Sequence, residues 1–174
     1  MNTVWADRTG QHDALTNVDD LRAFLISVDM DTGTTVTLKR VADFRRLRDA
    51  LRRIAMTVAG VNSEHARSAP AEAEAVDAIN ATLDATPPWR LRRAAAGWEL
   101  ERAEGDAVDA ALACLARQGA ELVADVARPL RACRAPGCVL LFVRDHPRRE
   151  WCSVMCGNRV RAARRYRRLR AARR

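Results

Sequence analysis

Four of the five cysteines in this 174-residue chain fall within 24 residues. Cys133 and Cys138 form a C-x4-C pair, a 13-residue spacer follows, and Cys152 and Cys156 form a C-x3-C pair. Two close thiol pairs separated by a hairpin-sized spacer match the ligand spacing of a four-cysteine zinc site. A disulfide framework needs an oxidising compartment, and the first 30 residues show no signal-peptide core. The alternative of ordinary reduced thiols leaves the pairing unexplained. Four thiolates close a tetrahedral shell, whereas a catalytic zinc keeps one position open for water. The predicted site is therefore structural, with one Zn2+ per chain, and the chain is read as a non-enzyme. His146 could replace one ligand, but a fifth candidate is not needed, and it is read as a turn residue. Cys114 stands alone in an apolar helical stretch and is read as a small core residue.

The elements that must position these thiols can be read around them. Pro136-Gly137 just before Cys138 predicts a turn whose backbone N–H groups point at the sulfurs. Val139–Val143 reads as an apolar strand, and 145–149 as a polar turn. Trp151 can pack over the site. Ser153 is placed to cap a helix starting at Val154, so that Cys152 and Cys156 bracket its first turn. The partial positive charge of a helix N-terminus stabilises thiolates there. A knuckle, a hairpin and a helix start supplying the last two ligands describe a treble-clef-like finger.

Upstream, the pattern is mostly helical. Asn17 is a candidate N-cap, followed by Leu21, Phe24, Leu25 and Val28 at helical spacing. Residues 29–37 read as a turn or a short strand. A longer helix is predicted from about Leu38 to Ala59, with Val41, Phe44, Leu47, Leu51, Ile54 and Val58 on one face and Gly60 as its stop. Arg45, Arg46, Arg48, Arg52 and Arg53 are read as its solvated face. Residues 61–69 read as a loop. Pro70 suits a first helical turn, and Val76, Ile79 and Leu83 mark a short helix closed by Pro87-Pro88. Trp89–Arg93 and Trp98–Arg102 read as a hairpin with opposite charge on its two strands. A further helix of about 20 residues from Asp106 carries Val108, Leu112, Leu115, Leu122 and Val126. The predicted fold is mainly α (α+β): a helical N-terminal domain with a small β-hairpin over residues 1–127, and over 128–174 a treble-clef-like zinc finger with a long basic helix.

Charge divides at the same place. Residues 1–127 carry 15 Lys+Arg against 20 Asp+Glu, and residues 128–174 carry 15 Arg against two acids. The whole chain is +8, almost entirely from arginine. Such asymmetry points to nucleic acid more than the total charge does. In the final helix Val160, Ala163, Tyr166 and Leu169 read as an inward or partner-facing stripe. Arg161, Arg164, Arg165 and Arg168 point elsewhere, toward a phosphate backbone or a major groove. Asn158 and Arg159 lie one turn in, beside the zinc, and either brace the zinc loop or contact nucleic acid. Gly157 inside a helix costs about 1 kcal/mol, so a close approach is expected there. The acidic balance of the first domain predicts that it docks the basic finger when nucleic acid is absent.

The run Trp151-Cys152-Ser153-Val154-Met155-Cys156-Gly157-Asn158-Arg159 resembles the CGNR zinc finger of bacteria, and Leu130–Cys138 resembles that family's first cysteine pair. Asn2-Thr3-Val4, Asp19-Asp20-Leu21, Leu47–Arg52 and Ile79-Asn80-Ala81 resemble the ABATE domain found upstream of it. The resemblance implies a stress-induced transcription regulator whose N-terminal domain senses a ligand, with Cys133, Cys138, Cys152 and Cys156 as the zinc ligands. Two departures stand out. The family's short apolar strand before Asn-Thr has no counterpart ahead of Asn2. Arg144-Asp145-His146-Pro147 replaces a small polar turn, which should alter that loop and spare the zinc.

No nucleophile–base pair, glycine-rich phosphate loop or paired carboxylates can be read in the N-terminal domain. Trp5, Trp89 and Trp98 either line a ligand pocket or serve core and hairpin packing. No apolar run is long enough to span a membrane. The expected protein is cytoplasmic and nucleoid-associated, binds duplex DNA, and takes a small-molecule effector or forms a homodimer. A non-specific RNA- or DNA-binding module and a protein-interaction finger are the competing functions.

Overall fold

The computed structural model describes residues 1–7, 9–30, 33, 36–61, 69–85, 89–102 and 106–172, with backbone alone at 89, 101 and 102. The predicted loop at 62–68, Pro87-Pro88, most of the segment at 31–35 and the side chain of Trp89 lie outside the described residues. The chain is mainly α with small antiparallel hairpins, as expected. Two short strands open it, β1 (Val4–Ala6) and β2 (Gln11–Asp13), paired antiparallel.

Helix α1 (Val18–Ser27) starts where the sequence places its cap. The Asn17 side chain accepts from the Asp20 amide at 3.0 Å, and Asp20 reaches back to the Asn17 amide at 3.3 Å. Two otherwise orphaned donors are thereby satisfied. Helix α2 (Leu38–Val58) is capped by Thr37 and stops at Gly60, whose φ of +68° suits the residue past a helix end. Helix α3 (Glu72–Asp84) begins two residues after Pro70, so the proline precedes the first turn instead of occupying it. Its buried face is Ala75 and Ile79, while Val76 is exposed.

Strands β3 (Trp89–Ala94) and β4 (Gly97–Arg102) form the predicted hairpin, with Arg92 and Glu99 paired at 3.5 Å. Its other face carries Leu91, Trp98 and Leu100, all mostly exposed. Trp98 is thus not part of the core among the described residues, against the core-packing reading. Trp5 is also 41 % exposed and stacks on His12. Helix α4 (Ala107–Ala124) is capped by Asp106. Cys114 on it is half-buried, outside the core proper.

The helices pack around α2. Leu21, Leu25, Val41, Phe44 and Val108 form one apolar cluster, and Leu47, Leu51, Ala75, Ile79 and Ala116 the next. Each fully buried aliphatic side chain contributes on the order of 2 kcal/mol. Gly119 allows α4 to close on α2, since a Cβ there would lie 2.5 Å from Leu51. Arg40 fastens the two helix starts, bonding Asp106 at 3.1 Å and Asp109 at 2.5 Å.

The arginine face of α2 differs from the sequence reading. Arg46 is solvated, but Arg48 is 7 % and Arg52 8 % exposed. At about 100° per residue, Arg48 falls inside the buried arc between Val41 and Ala55, and Arg52 falls inside it between Val41 and Met56. Arg48 bonds Asp13 at 2.5 Å and Asp49 at 2.9 Å, tying β2 to α2. Removing one partner of a buried pair strands the other. Arg48→Ala should lose about 3 kcal/mol in urea denaturation, and Arg46→Ala no more than about 0.5 kcal/mol.

Candidate metal centre and basic helix

The chain after α4 folds back on itself as a hairpin. Strand β5 (Leu130–Ala132) pairs antiparallel with β6 (Leu141–Val143), and the first cysteine pair sits at the tip. The strand expected over Val139–Val143 is thus shorter, because its first two residues belong to the knuckle. Cys133 donates its amide to the Leu140 carbonyl at 3.0 Å, and Cys138 to that of Ala135 at 3.0 Å. Gly137, at φ +72°, makes this turn possible.

The turn at 145–149 carries the chain to the second pair. His146 lies in it, exposed, accepting at Nδ1 from the Arg148 amide at 3.1 Å. It is a turn residue and takes no part in the thiol cluster. Arg149 fastens the turn, with Asp145 at 2.7 Å, the Cys152 carbonyl at 2.9 Å and its guanidinium over the Phe142 ring. The sequence reading missed this role, for which only a charged i, i+4 pair was visible. The altered segment at 144–147 leaves the four sulfurs together.

Helix α5 (Val154–Ala171) begins under the Ser153 cap, whose hydroxyl accepts from the Cys156 amide at 3.3 Å. The Sγ atoms of Cys133, Cys138, Cys152 and Cys156 all lie within 4.8 Å of one another. Cys138–Cys152 and Cys138–Cys156 are 3.8 Å apart and Cys152–Cys156 3.6 Å. A tetrahedron with zinc–sulfur bonds of about 2.3 Å has edges of about 3.8 Å. The donor set and its spacing fit one structural Zn2+. The Cys152 amide donates to the Cys133 sulfur at 3.4 Å, and Arg159 to the Cys156 sulfur at 3.6 Å.

Burial pushes Cys152 and Cys138 up, and hydrogen bonding and charge from Cys133 add to the rise. Burial acts the same way on Cys156, but hydrogen bonds from Cys152, Ser153 and the other two thiols outweigh it and bring that thiol down. Metal uptake must therefore expel protons, and affinity rises with pH.

Trp151 packs on this cluster as expected. It also accounts for Gly157, where a Cβ would lie 3.1 Å from the indole. Beyond it the expected stripe does not hold. Val160 is buried, but Tyr166 is 65 % and Leu169 53 % exposed. A three-residue repeat lags a helical turn by about 60° each step, which carries Leu169 to the side opposite Val160. Arg161, Arg164, Arg165 and Arg168 instead share one face with Asn158, an arc of about 120°, and all five are exposed. Asn158 accepts from Arg161 at 2.5 Å, and Arg161 also lies over the Trp151 ring. Arg159 points off this arc, to the sulfur. Among the described residues no arginine of α5 pairs with a carboxylate. Ion pairs that would dock the tail on the acidic domain are not seen among the described residues, and the finger meets that domain through other groups. Ala55 and Met56 of α2 pack on Leu130 and Leu141. The Asn2 side chain donates to the Leu141 carbonyl at 2.7 Å and accepts from its amide at 3.2 Å.

A helical domain joined to a four-cysteine metal site at the foot of a basic helix defines a zinc-finger protein. Residues 1–126 match the ABATE family, described as a putative stress-induced transcription regulator, and residues 129–169 match the CGNR zinc finger. The chain belongs to the ABATE family and carries a CGNR zinc finger at its C-terminal end. Both families are regulatory or zinc-finger families and not enzymatic ones. No curated protein matches the chain. No helix among the described residues is long and apolar enough to cross a membrane.

Protein purified without chelator should contain about one zinc per chain by elemental analysis, as the single four-thiol cluster requires. Cys133→Ser should lower that content sharply. Zinc retention against a fixed chelator should weaken as pH falls, because protons compete for the sulfurs.

Proposed function

We propose that the chain is a DNA-binding transcription regulator in which residues 128–174 grip duplex DNA and residues 1–127 sense a ligand or mediate association. The observation that carries this reading is the face of α5. Arg161, Arg164, Arg165 and Arg168 stand exposed on one side, unpaired with acids among the described residues, on a helix whose first turn supplies Cys156 to the metal centre. A metal-anchored helix presents its cations at little further entropic cost, and each phosphate contact releases condensed counterions. Asn158 continues the same face and is assigned to the interface with them. Arg159 is assigned a bracing role as well, through the Cys156 sulfur.

Two features support the proposed work of the first domain. A cavity of about 200 Å³ lined largely by apolar side chains, among them Leu15, Phe24, Phe44 and Leu115, also presents Arg48 and Gln118. It suits a small, mostly apolar effector. The uncovered face of the β3–β4 hairpin suits association between two chains. A protein with this role would work in the cytoplasm, at the nucleoid.

Selection from random duplex DNA with the zinc-loaded protein tests the reading. An enriched motif that disappears with Cys133→Ser supports it. Tight binding with no enrichment replaces it with a non-specific RNA- or DNA-binding module, and no binding to nucleic acid leaves a protein-interaction finger. Four phosphate contacts imply a slope of log affinity against log salt of about −4. The double variant Arg164→Ala/Arg168→Ala should reduce its magnitude by about 2.

A further inference from the structure

Among the described residues, Arg52 is a buried cation with no carboxylate paired to it. It lies on α2 at 8 % exposure, and its Nη2 donates to the carbonyl of Val139, the residue after Cys138. Its Nη1 is buried and, among the described residues, has no hydrogen-bond partner. The neighbouring buried charge on the helix, Arg48, is also positive and is already engaged by Asp13 and Asp49. Burial and then Arg48 work against the charge on Arg52, while Asp49 and Cys138 favour it. A guanidinium held this way costs several kcal/mol unless an anion faces it. Four thiolates around one Zn2+ leave a net charge of 2−, shared over the sulfurs. Arg159 already approaches that charge from α5, at the Cys156 sulfur.

We propose that Arg52 is the counter-cation of the metal centre, a positioning residue contributed by the helical domain, so that metal loading and the docking of the finger on α2 stabilise each other. Groups beside metal ligands commonly change metal affinity by roughly 10- to 100-fold when removed. Coupling between two equilibria is reciprocal, so the docked finger gains metal affinity by the same factor by which metal favours docking.

Chelator titration of the full-length zinc-loaded protein tests this without reference to DNA. Arg52→Met and Arg52→Gln should release zinc at a chelator concentration roughly 10- to 100-fold lower than the unaltered protein. Arg52→Lys should retain most of the affinity, and the exposed control Arg46→Gln all of it. The rise in melting temperature on zinc addition should shrink in the Met and Gln variants. Arg52→Gln keeps a polar N–H donor on a shorter, uncharged side chain, so it decides alone should Arg52→Met not fold. Unchanged zinc release in the Gln variant would overturn the proposal. So would equal losses in Lys and Gln, or a melting temperature lowered by the same amount with and without zinc.

Discussion

The finger depends on the convergence of four sulfurs at the spacing of a tetrahedron. Apart from Leu130 and Leu141, which pack against α2, its own buried apolar side chains are few: Ala135, Phe142 and Val160, with Leu140 and Trp151 packed against them. A segment of that size does not hold together on such a core without a metal or a covalent staple. Closing the shell fixes the β5–β6 hairpin, the Arg149 turn and the first turn of α5 relative to one another. The direction of α5 follows from that closure, since nothing else buries the helix beyond Val160.

The same centre is built against the helical domain and not apart from it. Met56 and Leu141 belong to one apolar cluster, so the seam between α2 and the hairpin is apolar there. Two polar devices flank it. Asn2 satisfies both backbone groups of Leu141, much as a neighbouring strand would, and Arg52 reaches the knuckle carbonyl of Val139. A shift of α2 would therefore be felt at the metal, and through the metal at the foot of the basic helix. This differs from two beads on a flexible tether, in which the arginine helix would sample directions independent of the first domain.

What could be read in the chain followed how local each signal is. The caps at Asn17 and Ser153, the helix start at Asp106, the stop at Gly60 and the opposite-charge hairpin are settled by residues a few positions apart. So is the pairing of the thiols, because metal-ligand spacing is a short-range rule. The fate of the α2 arginines was harder to read, since a charged residue is by default solvated. Yet the position of Arg48 within the buried arc is a helical-wheel fact, and the wheel outweighs the residue type here. Strand β5 was missed because three residues are too few for alternation to register. The uncovered faces of Trp98 and Tyr166 were not legible, because hydrophobicity predicts that a side chain would be buried, not that a neighbour exists to bury it. The docking of the finger by Asn2 and Arg52 had no signal at all, since each contact joins positions far apart in the chain.

That last distance has a kinetic side. The Asn2–Leu141 bonds span 139 residues. Such a contact closes late, after the cheap local helices have formed, because the entropy of a long loop must be met before the contact is gained. During synthesis the helical domain is complete before the last cysteine leaves the ribosome. The edge that Asn2 offers then waits for a strand still being made. Seating of the finger is accordingly the final step of maturation, and a chain that has not acquired its metal would keep an open polar edge and an uncovered apolar seam where chaperones and proteases act.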